Sequence, residues 1–123
     1  MRNTSIGLAA LMATAAVAHA ADNVSGDALR GMVTGKTVHV ATAVGTVPIS
    51  FRGDGTMSGR SQGLASYTMA TSDRGRWWVS GNRLCQQWEQ WFQKETHCFE
   101  MRRDGAKLYW SGGGRSGTAM IAN

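Results

Sequence analysis

Two turn signals and one cysteine pair fix the direction of almost every side chain between residues 77 and 110. Gly81-Asn82 and Asp104-Gly105 both read as two-residue hairpin turns, and Cys85 and Cys98 lie between them. Counting outward from Gly81-Asn82 sets Val79 opposite Leu84 and Trp77 opposite Gln86. Counting from Asp104-Gly105 sets Met101 opposite Leu108 and Phe99 opposite Trp110. A facing cysteine pair sets Leu84 opposite Phe99. All three counts gather Trp77, Val79, Leu84, Trp88, Phe99, Met101, Leu108 and Trp110 on one face. A slip of one residue would turn every side chain over, so their agreement predicts antiparallel strands with one apolar face. Gln86 is the polar exception on that face.

The opposite face carries Trp78, both cysteines, Gln87, Glu89, Trp91, Glu100, Arg102, Lys107 and Tyr109, with Arg76 alongside. Aromatics among cations make Arg76, Trp78, Trp91, Arg102, Lys107 and Tyr109 a candidate binding face. The competing reading is that N-terminal elements fold over this face and bury it.

The remainder of the chain fits one exported β domain. Arg2, the apolar run at 6–17 and Ala18-His19-Ala20 have the layout of a secretory signal peptide, with cleavage after Ala20. That run is too short to span a bilayer, so the expected location is periplasmic or secreted. Residues 21–35 read as a polar tether leading into a short helix, with Ser25 as N-cap and Gly35 as its stop. Residues 36–123 read as a single β-barrel-like domain. Strands are expected at 37–44, 47–51, 56–60, 67–70, 75–80, 84–91, 96–103, 107–111 and 118–121, and loose loops at 60–66 and 112–117. The expected fold is all-β: a small antiparallel meander or barrel of seven to nine short strands.

Two cysteines in an exported chain imply a disulfide. Twelve intervening residues match neither a C-x-x-C redox motif nor a zinc-ligand spacing. Without residues 1–20, 12 basic and 8 acidic side chains remain, a net of +4 spread along the chain. Outside the cytoplasm this charge suits an envelope protein, an anionic glycan or lipid headgroups, and not nucleic acid.

Catalytic signals are absent. No serine sits in a G-x-S-x-G elbow, and Asp54 and Asp104 belong to turns. His97 with Glu95 or Glu100 is the only acid–base grouping to name. Met32, Met57, Met69, Met101 and Met120, with His39 and His97, lack the close spacing of a copper site. Gly112-Gly113-Gly114-Arg115 lacks the following helix and lysine of a phosphate loop. No metal or cofactor is expected.

Gly75-x-Trp77, Leu84-Cys85-x-x-Trp88, Cys98-Phe99, Arg103-x-Gly105 and Trp110, preceded by Phe51-Arg-Gly-Asp54-Gly55-Thr56, resemble the pattern of small exported proteobacterial proteins of an uncharacterised domain family. The resemblance spans roughly residues 35–111. It implies a signal peptide and a lipocalin-like β-meander with one disulfide, and it carries no catalytic residues. The sequence therefore predicts a non-enzymatic binding module that recognises an envelope protein or glycan through its aromatic and basic face. The alternative is a carrier of a small apolar ligand or lipid within a barrel lined by Trp77, Trp88, Phe99, Met101 and Trp110. An enzyme of unknown reaction is the second alternative.

Overall fold

A computed structural model describes residues 21–63 and 70–122. The leader predicted at 1–20 lies outside the described residues, as do most of the strand predicted at 67–70 and part of the loop at 60–66. The elements run β1 (Asp22–Val24), α1 (Gly26–Val33), β2 (Thr37–Thr42), β3 (Gly45–Phe51), β4 (Thr56–Arg60), β5 (Ser72–Ser80), β6 (Arg83–Trp88), a short 3-10 turn (Trp91–Lys94), β7 (Thr96–Asp104), β8 (Lys107–Gly112) and β9 (Arg115–Ala122). From β2 to β9 each strand pairs antiparallel with the next, and β9 returns to pair with β2. The predicted all-β fold is thus an eight-stranded closed barrel. Closure removes the sheet edges that would invite other strands.

β1 arises in the stretch read as a tether. β7 outruns β6, whose pairing with it stops at Arg83↔Glu100. β1 takes up the vacant ladder positions on that side, from Asp22↔Arg103 to Val24↔Met101. Left open, those backbone groups would be an unpaired edge.

The counted registers hold for two of the three hairpins: Val79↔Leu84 and Trp77↔Gln86 in one, Leu84↔Phe99 and Cys85↔Cys98 in the next. The third is displaced. Asp104 pairs with Lys107, so Gly105-Ala106 forms the turn and Met101 faces Trp110 instead of Leu108. Gly105 takes φ +61° at the first central position, where a type II′ turn needs glycine. An aspartate there would be strained. The displacement is two residues, so each side chain keeps its face. Residues 112–117, expected as a loose loop, instead continue the ladder, with a tight turn at Gly113-Gly114 between Gly112 and Arg115.

One end of the barrel is plugged by α1. Leu29, Met32 and Val33, at helical spacing, are buried there. The helix is tied down by the Gly26 N–H donating to the Gly81 carbonyl (2.9 Å) and the Gly35 N–H donating to that of Phe51 (2.8 Å). In the nearby β3–β4 turn, the Asp54 carboxylate accepts the Thr56 hydroxyl (2.6 Å) and N–H (2.9 Å). These two bonds, with Arg52 close by, hold its carboxyl below the usual aspartate range. The turn's support is therefore present at neutral pH and is lost as acid protonates Asp54.

Cys85 and Cys98 are bonded (S–S 2.05 Å) between directly opposite residues of β6 and β7. Replacing both by alanine should lower the unfolding free energy by about 2–4 kcal/mol, because the unfolded chain loses a closed loop. Urea denaturation of oxidised and double-variant protein measures this, and an unchanged midpoint would refute it.

Candidate functional site

The barrel interior divides into a filled side and a hollow side, and Trp91 makes the difference. Read as an outward residue on a strand at 84–91, Trp91 is instead completely buried, at 0% exposure. The cause is Asp73, a buried carboxylate on β5. It accepts the N–H groups of Gln90 and Trp91, both at 2.8 Å, as well as its neighbour Arg74's at 2.9 Å. These bonds end β6 at Trp88 and bend the chain inward. The indole of Trp91 then packs on Trp88 with ring centroids 4.7 Å apart and donates its Nε1 proton to the Ala70 carbonyl (3.1 Å). Gly59 on β4 is what admits it: a Cβ there would stand 2.7 Å from the Trp91 ring and 2.9 Å from that of Trp88. Below them Trp77 meets Phe51 edge to face (5.5 Å) and donates to the Arg52 carbonyl (2.9 Å).

The other side is open space. A cavity of about 720 Å³ lies between an apolar wall from β2 and β3 (Val38, Val40, Val47, Ile49) and an aromatic wall from β7 and β8 (Phe99, Met101, Leu108, Trp110). Val33 of the helix contributes at the plugged end. At the other end the cavity reaches Ala43, Phe92, Gly113 and Arg115, which are exposed. An aromatic series descends into it from the mouth: Phe92 to His97 (6.0 Å), His97 to Phe99 (6.3 Å, stacked) and Phe99 to Trp110 (5.2 Å). Phe92 is 40% exposed. It begins a run of three non-glycine residues, Phe92, Gln93 and Lys94, with φ of 53°, 59° and 62°. Such left-handed backbone is strained and is found mostly where a site requires it.

Most polar groups of the cavity sit on strands β6 to β9, with Thr42 of β2 opposite. Gln86 spends its Oε1 on the Trp88 Nε1 proton (3.0 Å). His97 is 3.8 Å from Glu95 at the mouth. Trp110 lies flat on Gly117, where a Cβ would approach its ring to 2.5 Å. The Trp110 Nε1 is buried without a hydrogen-bond partner among the described residues.

Four of the five expected interior residues, Trp88, Phe99, Met101 and Trp110, line the cavity, while Trp77 belongs to the filled side. The expected outer face is dispersed. Trp91 is core. Trp78, 37% exposed, stands beside Cys85, whose outward side chain is nevertheless only 1% exposed. Tyr109 lies between Arg102 (5.6 Å) and Lys107 (5.1 Å), both over its ring. Trp78 on β5 and Tyr109 on β8 are three strand spacings apart, about 14 Å along the sheet. Of the acid–base candidates, Glu95 meets His97, whereas Glu100 is exposed and pairs across to Arg83 and Ser111.

No family model, curated protein or solved structure matches this chain. The site therefore has to be read from its own chemistry.

Sequence reasoning missed Phe92, Arg115 and the β2–β3 wall as site residues. The alternation at Val38/Val40 and Val47/Ile49 was legible as strand, but only closure turns those positions toward Trp110. Arg115 shares inward parity with Gly117 and Ala119, a signal lost once 112–117 is taken for a loop.

Asp73→Ala should cost about 2–4 kcal/mol, since it strands three buried or half-buried N–H groups, and should raise Trp91's solvent exposure. Acrylamide quenching of tryptophan fluorescence checks the second effect. Unchanged quenching and stability would refute the account of how Trp91 is held.

Proposed function

We propose that this chain is a non-enzymatic binding module, exported from the cytoplasm, that takes one small and mainly apolar ligand into its barrel. The observation that carries the reading is the cavity of about 720 Å³ with its apolar and aromatic walls. Ligand sites are typically concave, largely apolar and about 300–1,000 Å³ in volume. Export is supported by the disulfide and by the leader-like residues 1–20; no helix among the described residues is long and apolar enough to cross a membrane. The family that the sequence resembles, with its leader and single disulfide, agrees with such a module. Recognition of an envelope protein or glycan through the outer face has less support, because Trp91 is internal and the other aromatics stand apart.

Filling the cavity tests the reading. The full chain should bind an apolar fluorophore such as 1,8-anilinonaphthalenesulfonate at one per molecule, with energy transfer from tryptophan. Val40→Trp, which projects a ring from β2 into the hollow side, should weaken that binding at least tenfold while the melting temperature stays level or rises. Equal binding by the variant would place the dye elsewhere and overturn the proposal.

A further inference from the structure

Among the described residues no Asp or Glu lines the cavity, and Arg115 is the one Lys or Arg that does. Gln86 accepts the Trp88 N–H through its oxygen and presents its NH2 donors. Thr42, which also lines the cavity, donates its hydroxyl to the Gly45 carbonyl and accepts the Val44 N–H. Trp110 gives the cavity its ring, while its Nε1, seated over Gly117 with almost no accessible surface, stays out of a ligand's reach.

Resting on the interior reading above, we propose that the ligand is a single-tailed amphiphile with an oxyanion headgroup. The head sits at the mouth against the β8–β9 wall, taken by the Arg115 guanidinium, and the tail runs down between the β2–β3 wall and Phe99, Met101, Leu108 and the Trp110 ring. The ladder places Arg115 just above the aromatic wall. Trp110 pairs with Gly117, and Arg115 is the next inward position of β9, about 7 Å further toward the mouth. There its fork can donate to a carboxylate or phosphate in bidentate fashion. Gly117 matters as well, since any side chain there would push the indole off its seat. A cationic or donor-only head would meet donors and a positive charge. A neutral alcohol would forgo the charge-assisted bond.

Binding of dodecanoate, dodecyl phosphate, dodecanol and dodecyltrimethylammonium to the full chain, each below its micelle concentration, tests the assignment by tryptophan fluorescence and native mass spectrometry. The expected result is one anion per chain, at least tenfold tighter than dodecanol, with the ammonium weakest. The tighter of the two anions separates a free fatty acid from a phosphate-bearing lipid as the source of the head. Arg115→Gln should shrink the anion-to-alcohol ratio to about twofold or less, and Arg76→Gln, on the outer wall, should leave it unchanged. Equal binding of anion and alcohol by the unaltered protein overturns the headgroup assignment and leaves the interior reading standing. Failure of all four tails to bind, with an unaffected Val40→Trp variant, brings down both.

Discussion

Everything in this structure that resembles a binding site depends on the pairing of β2 with β9. The ladder from Thr37↔Ala122 to Val40↔Ala119 joins residues more than 75 positions apart and turns a meander into a ring. Without it the apolar faces of β2 and β3 would meet solvent, and Trp110 would have nothing across from it. Contacts this distant in sequence come late in folding, because loop closure must be met before they are rewarded. The hairpins are local, and the disulfide reinforces one of them. The cavity is a property of the closed state alone.

Closure by itself leaves an eight-stranded barrel only just wide enough for its own side chains. Here the filling is unequal. Gly59 lets Trp91 and Trp88 stack against β4, and Asp73 holds the backbone that delivers Trp91. The tryptophans are concentrated on that side, while β2 and β3 contribute valine and isoleucine. Space remains in front of the smaller residues.

On the reading proposed above, selectivity rests on few polar groups, chief among them the Arg115 guanidinium at the exposed mouth. By contrast the cations outside the barrel, Arg102 and Lys107 among them, are already engaged with Tyr109 and are bathed in solvent. The aromatic and basic residues that drew attention in the sequence thus divide by depth. Of the internal ones, Trp88, Phe99, Met101 and Trp110 line the cavity, and the external ones lie beside the disulfide or against one another.

The succession of hairpins from residue 75 to 111, their alternation and the inward set Trp77, Val79, Leu84, Trp88, Phe99, Met101, Leu108 and Trp110 were determined by the sequence alone. Turn glycines and period-two spacing act over a few residues and need no partner from elsewhere. The facing of Cys85 and Cys98, a premise of the register count, holds in the ladder. Even the shift of the turn from Asp104-Gly105 to Gly105-Ala106 changed partners without changing faces. The tertiary structure alone decided three things: the burial of Trp91, the inward use of Arg115 and the existence of a hollow. Trp91 follows a carboxylate 18 residues away, Arg115 follows a hairpin whose strands extend only when the ladder is complete, and the hollow is the volume left when distant walls close. Such quantities depend on what faces a residue across the barrel, and no local pattern encodes that.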